Sequence, residues 1–224
     1  MSKGIAKAFS VALLIVPIGG CDIDAGPRET QAIDASAPLA AEARYQVDPA
    51  RNRVWLLSHE GVFLFEPSRP GRIALSLPDW VWVGTQYGCL PDLALGPRGE
   101  AVITSNIVPT LWRVDPDTLA VSVHRPVLDA DDDKDVGFSA LVYSREHGAF
   151  FAASYSHGSL WKIDPRFESA QKVSLSAPLR EACGLALRAR GLCARTPHRS
   201  WTVELAPHGR SAYIGAASCA DRPF

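Results

Sequence analysis

Along most of this chain, short apolar runs alternate with polar turns. The runs are rich in Val, Leu, Ile, Trp and Ala, and the turns are built from Gly, Pro, Asn and Asp. That rhythm is the signature of short antiparallel strands, and no stretch carries a sustained helical stripe. In a first unit the pattern predicts strands at 44–47, 54–57, 62–65 and 73–77, divided by turns at 48–52, 59–61 and 68–71. A second unit repeats the plan at 93–95, 101–104, 111–114 and 119–124. A third has strands at 140–143, 149–153, 160–163 and 171–175. A fourth, shorter and rougher, has them at 184–187, 192–195, 200–204 and 211–214.

One phrase marks the period. Leu111-Trp112-Arg113-Val114-Asp115-Pro116 returns as Leu160-Trp161-Lys162-Ile163-Asp164-Pro165, and a looser copy precedes both as Val62-Phe63-Leu64-Phe65-Glu66-Pro67. The aromatic (63, 112, 161), the acid (66, 115, 164) and the proline (67, 116, 165) all recur every 49 residues, and the rhythm fades at Trp201, 40 residues after Trp161. A fixed period of this size indicates a repeat architecture. The strands carry apolar residues on both faces, so a single sheet would leave one face exposed. Stacking sheets around an axis buries both, which is the β-propeller solution. The prediction is an all-β, propeller-like domain over 43–216 with about four four-stranded antiparallel blades, followed by a tail at 217–224. The blades form either a small ring or an open, incomplete arc, and no strand is seen to be exchanged between the ends. An open arc would expose apolar blade faces and invite self-association. Trp55, Trp112, Trp161 and Trp201 fall in predicted strands and read as core. Asp115 and Asp164, each followed by proline, read as turn-formers.

The phrase Leu111-Trp112-Arg113-Val114-Asp115-Pro116-Asp117-Thr118-Leu119 resembles NHL, YVTN and SMP-30-like propeller repeats, and the resemblance covers roughly 43–215. It implies architecture more than activity, because such propellers include binding scaffolds, hydrolases and redox accessories. Those families usually close with about six or seven blades; four are visible here.

The N-terminus suggests an address. Lys3 and Lys7 precede an apolar run at 9–18 that is too short to span a bilayer, so residues 1–20 read as a secretory signal. The run ends in Ile18-Gly19-Gly20-Cys21, which resembles a bacterial lipobox. Pro17 and Gly19 depart from the usual pattern, and an ordinary signal peptide containing a cysteine is the alternative. The lipobox implies an acylated Cys21 and a membrane-anchored protein on the periplasmic side. Acyl chains anchor by about 0.8 kcal/mol per buried CH₂. Asp22 resembles an inner-membrane retention signal, and the choice of membrane stays open. Residues 21–42 are too poor in apolar side chains to form a core and read as a tether. Hydrophobic residues make up 47% and charged residues 21%, which is ordinary for a globular domain; the net charge of −1 gives no reason to expect nucleic acid as a partner.

In a propeller the turn between strands two and three shares a face with the link to the next blade, so candidate chemistry is sought there. His59 and His157 lie 98 residues apart, twice the period, at equivalent blade positions, with His198 near the fourth equivalent. They are candidate metal ligands, although they lack a local motif such as H-x-H and read equally as turn residues. Asp129, Asp131, Asp132 and Asp133 suggest loose Ca²⁺ binding, but an EF-hand wants Gly sixth and Glu twelfth, where Lys134 and Ala140 stand. A solvated acidic loop is the plainer reading. Trp80 and Trp82 form either an aromatic binding surface, with Tyr155, or a plug over the axis. Cys183 and Cys193 flank one hairpin and are the predicted disulfide, leaving Cys89 to pair with Cys219.

No nucleophile elbow, P-loop, dinucleotide fingerprint or zinc motif is present. The favoured reading is a non-enzymatic binding or assembly scaffold that requires no cofactor, with the membrane and a protein partner or a second copy as its contacts. An SMP-30-like metal-dependent lactone hydrolase is the alternative, with Glu60, Asn106 and Asp132 as the right residue types for the metal. An accessory subunit of a periplasmic redox enzyme is a third.

Overall fold

The repeat resolves, in a computed structural model, into four sheets arranged around a common axis. The structure describes residues 43–81, 89–129, 136–196 and 198–215, all in one compact unit spanning 31–224. The signal segment, Cys21, the tether, Trp82, Asp131, Asp132, Asp133, Pro197 and Cys219 lie outside the described residues.

Blade one is β1 (Arg44–Asp48), β2 (Arg53–Ser58), β3 (Gly61–Glu66) and β4 (Arg69–Leu75). Blade two is β5 (Leu93–Leu95), β6 (Ala101–Thr104), β7 (Leu111–Val114) and β8 (Val121–His124), and the short β9 (Val127–Leu128) follows it. Blade three is β10 (Ala140–Ser144), β11 (Ala149–Ala153), β12 (Leu160–Ile163) and β13 (Ser169–Lys172), followed by β14 (Ser174–Leu175). Blade four is β15 (Gly184–Arg188), β16 (Gly191–Arg195), β17 (Ser200–Leu205) and β18 (Ser211–Gly215). Within each blade the four strands pair antiparallel in chain order. Several details differ from the sequence expectation: β8 begins at Val121, not 119, and the strand expected at 171–175 is divided between β13 and β14. β4 begins at Arg69, not 73, because Pro67 and Ser68 alone make the turn that sets Glu66 opposite Arg69. β9 and β14 each add a parallel fifth strand to the outer edge of the following blade, pairing with β13 and β18. Segments leaving one blade therefore staple the next.

Three cores lie between the four blades. The first packs Trp55, Leu57 and Leu64 of blade one on Ile103 and Trp112 of blade two. The second packs Val102 and Leu111 on Phe150 and Trp161, and the third packs Phe151 and Leu160 on Leu185 and Val203. Strand β11 shows why both strand faces are apolar. Phe150 points into the core shared with blade two and its neighbour Phe151 into the core shared with blade four, because successive strand residues face opposite sides. The repeated aromatic of each blade packs against the preceding blade. Among the described residues no blade packs on Phe63 of blade one; the Arg72 guanidinium covers it instead, 4.2 Å from the ring centre. Among the described residues the sheets do not close into a ring.

The acids of the repeat are turn-formers, as the sequence suggests. Asp115 Oδ1 accepts hydrogen bonds from the backbone N–H groups of Thr118 (2.9 Å) and Asp117 (3.0 Å) and from the Thr118 hydroxyl (3.0 Å). Asp164 accepts from the backbone N–H groups of Arg166 (2.8 Å) and Ser169 (2.6 Å).

The disulfide expectation is corrected. Cys183 is bonded to Cys89, 94 residues away, not to Cys193, which also removes Cys89 as a partner for Cys219. The hairpin register explains this. Ala186 stands opposite Cys193, and Gly184 opposite Arg195, so Cys183 lies three positions along the ladder from the residue facing Cys193. At about 3.3 Å per residue that is roughly 10 Å, beyond the reach of a disulfide. Cys193 is itself disulfide-bonded and is not a free thiol.

Candidate functional site

The face predicted to carry chemistry holds two shallow depressions at equivalent places in blades one and three. The first, about 400 Å³, is lined by His59, Glu60 and Gly61 from the β2–β3 turn and by Leu75, Leu77, Trp80 and Val81 from the link after β4. Three sequence candidates, His59, Glu60 and Trp80, therefore meet in one place. The second, about 470 Å³, is lined by His157, Gly158 and Ser159 from the β11–β12 turn and by residues 172–178. His59 and His157 thus share a setting as well as a period.

Other candidates are committed to the scaffold. Glu60 accepts a hydrogen bond from Arg72 Nη1 at 3.0 Å, which turns it onto its own blade. Asn106 Nδ2 donates to the Cys89 carbonyl at 2.8 Å. Next to it, Gly137 lies against the Asn106 backbone so closely that a Cβ there would overlap it, which is why glycine is required. Asp129 Oδ1 accepts from the Lys172 N–H at 2.7 Å and closes the parallel pairing of β9 with β13. His157 Nδ1 lies 3.0 Å from the Ser156 hydroxyl, and His198 sits in a turn where its N–H donates to Thr196 Oγ1. Tyr155 is half-buried, and its carbonyl accepts from the Glu181 N–H. Trp80 is half-buried against the core of blades one and two, with its indole N–H donating to the Thr104 carbonyl at 3.3 Å. It packs as a plug and also lines the first depression. Among the described residues no group of three or more His, Cys, Asp or Glu is placed to hold a metal ion.

At the axis on this side, the starts of the four first strands are tied together. Arg44 Nη2 donates to the Cys183 carbonyl at 2.8 Å, linking blade one to blade four. Asp92, 8% exposed, accepts the Leu93 N–H (2.9 Å) on one oxygen and the Leu141 N–H (2.7 Å) on the other, and Arg44 Nε lies 3.8 Å away. Burial pushes the Asp92 carboxyl above its ordinary pKa, opposed by Arg44 and by the two N–H groups. Ser139 Oγ lies 2.8 Å from the Ala182 carbonyl. The Cys89–Cys183 disulfide joins the same region, so this end of the axis is a cross-tied polar knot.

The opposite end is open. There the ends of the same four strands, with the turns that follow them, line a cavity of about 570 Å³. That volume falls in the range of small-molecule sites. Each blade supplies one arginine to it: Arg51, Arg98, Arg145 and Arg188. The sequence reading placed ligand sites on the other face and missed this one. A signal was present, since the four arginines recur at intervals of 47, 47 and 43 residues, three in the first turns and Arg188 at the end of β15. Arginine is ordinary in a surface turn, however, and only the arrangement of the blades around the axis brings the four together.

No protein-family model matches the sequence, and no curated protein matches it. Solved structures share the fold. Virginiamycin B lyase from Staphylococcus aureus superposes with a TM-score of 0.58 at 11% identity, over 80% of this chain and 56% of that one. An auxiliary nutrient binding protein from Bacteroides thetaiotaomicron gives 0.55 at 10% identity, over 80% and 43%. The dihydro-heme d1 dehydrogenase NirN gives 0.51 at 16% identity, over 72% and 34%. The chain thus spans little more than half the length of the first and less of the other two. At these identities the likeness shows the fold alone: a β-propeller-like arc of four blades.

Proposed function

We propose that the protein is a membrane-tethered, periplasm-facing binding or assembly module, non-enzymatic, that works through the loops on the His59 face. The observation that carries this reading is the depression where His59, Glu60 and Trp80 meet. A half-buried indole forms part of its wall, and Val81 at its edge is 61% exposed. An apolar centre with charged and imidazole groups around it is the composition of a contact patch. The equivalent depression beside His157 makes a second, similar patch. An acylated Cys21 would hold the domain at the membrane through the tether. The fold accommodates the reading, since one structural neighbour is described as a nutrient binding protein and others as lyase and dehydrogenase. The lactone-hydrolase alternative draws no support from Glu60, whose carboxylate is paired with Arg72.

The test is site-specific photo-crosslinking of the full-length chain in intact cells. A photo-reactive residue at Val81 should capture a discrete partner. The same residue at Tyr213, equally exposed at 63% on blade four, should not. Equal capture from both positions, or none from Val81, would overturn the reading. Substituting Cys21→Ser should release the chain from the membrane fraction.

A further inference from the structure

Cys193 is buried on a side of blade four where, among the described residues, no blade packs. Its neighbours Leu192 and Ala194 both enter the core shared with blade three. Successive strand residues face opposite sides, so the Cys193 side chain points to the outer face of the blade. A side chain on such a face should meet solvent. Tyr213, between Ala212 and Ile214 of the same core, points outward too and is 63% exposed, and Glu204 opposite it is exposed as well. Cys193 is 0% exposed and disulfide-bonded. Something therefore covers the middle of this face and supplies a sulfur.

The register shows the shape of what is covered. Ala186, Cys193, Thr202 and Gly215 stand directly opposite one another across β15, β16, β17 and β18. All four are small, so the row forms a shallow trough running across the strands. Arg188, Arg195 and Ser200, which alternation puts on the same face, are engaged as well.

The sulfur can be traced by elimination. The chain has five cysteines, and Cys89 and Cys183 are bonded to each other. Cys219 and Cys21 remain. Gly215, the last residue of β18, ends the row itself, two strands from Cys193, or about 10 Å at the usual strand spacing. Cys219 comes four residues later, and four extended residues span up to about 14 Å. A chain turning back along the trough after β18 is therefore long enough to bring the two sulfurs together. Cys219 lies 26 residues from Cys193 and Cys21 lies 172 residues from it, and the entropic cost of closing a loop rises with its length. Acylation would also occupy the Cys21 sulfur.

We propose that the segment following β18, residues 216–224, folds back over the outer face of blade four and is fastened there by a Cys193–Cys219 disulfide. The segment takes the position that a further blade would occupy. It keeps the Cys193 row from water and closes this end of the arc, which would otherwise present a bare sheet face to other chains. The inference does not rest on the function proposed above.

The experiment is a disulfide map of the full-length chain, purified in detergent without reductant and with free thiols blocked by N-ethylmaleimide. Trypsin places the five cysteines in five different peptides. Recovery of 73–98 joined to 181–188 reports the Cys89–Cys183 bond and shows that oxidation is complete. In that same sample 191–195 should be joined to 211–224, in material that migrates as a single chain on a non-reducing gel. Recovery of 191–195 in blocked form, its linkage to the peptide carrying Cys21, or the expected linkage only in a dimer would overturn the proposal. The covering is tested with a chain shortened to end at Gly215. Its Cys193 thiol should react with N-ethylmaleimide under native conditions. A thiol that reacts only after denaturation would mean that other residues cover it, which would also overturn the proposal. The map uses the parent chain, so it decides the bond even where the shortened chain fails to fold.

Discussion

Asp164 shows how a single carboxylate of the repeat contributes. Desolvation raises its pKa, but hydrogen bonds from Ser169 and Arg166 outweigh that and hold it below its ordinary value. The same kind of turn hydrogen bonding, from Thr118 and Asp117, lowers Asp115. A carboxyl whose folded pKa lies below its unfolded value, about 3.9 for Asp, adds stability that is fully present above that value. That stability is lost as the pH falls through the folded pKa. Replacing Asp164 by Ala should therefore cost about 1 kcal/mol at pH 7, or roughly 3 °C in melting temperature. The variant should also lose less stability than the parent between neutral pH and about pH 2.5. Thermal unfolding at both pH values checks this; an unchanged pH dependence would remove Asp164 from the account. Asp92 works in the opposite sense. Burial raises its pKa, so its share of stability is greatest below the unfolded value and declines as the pH rises through the folded one.

At the scale of elements, strand position followed directly from the alternation of apolar and turn residues. β2, β3, β7 and β12 lie where the pattern places them. The short β9 was not legible, because two residues have no periodicity, and the strand expected at 171–175 divides into β13 and β14 because the neighbouring blade decides the pairing of its second half. The cysteines illustrate the same limit. Proximity in sequence favoured Cys183 with Cys193, but hairpin register separates them, and the stacking of the blades brings Cys89 to Cys183 instead. A crosslink closing a loop of 94 residues should stabilise the fold by about 2–4 kcal/mol. The double variant Cys89→Ser/Cys183→Ser should accordingly unfold at lower denaturant concentration with a similar dependence on denaturant. An unchanged midpoint would show that the link from blade one to blade two is held without the disulfide.

For the whole molecule, the open arc sets the terms. Among the described residues three cores serve four blades, so the outer face of blade one has no blade against it, with Tyr45 48% and Val47 53% exposed. Phe63, equivalent to Trp112 and Trp161, is sheltered there by Arg72, and Arg72 is held in turn by Glu60. This arrangement blunts an apolar face that would otherwise attract another chain. Arg72→Ala should uncover Phe63 and increase self-association relative to the parent protein, as read by sedimentation at matched concentration. Identical sedimentation would mean that Arg72 does not guard this face.

The all-β fold, the repeat length, the core tryptophans and the turn role of Asp115 and Asp164 were determined by the sequence, because each depends on local alternation or on a period carried within the chain. The tertiary structure decided the partner of Cys183, the polar knot around Arg44 and Asp92, and the cavity lined by Arg51, Arg98, Arg145 and Arg188. These depend on which residues face one another across the axis. Strand-by-strand periodicity carries no record of that, since it fixes the side of a sheet a residue occupies and not what stands opposite once the blades are stacked. The repeated phrase thus proved to be a packing ruler: it measures where each blade meets the one before it, and in blade one, against which no described blade packs on that side, an arginine covers the aromatic.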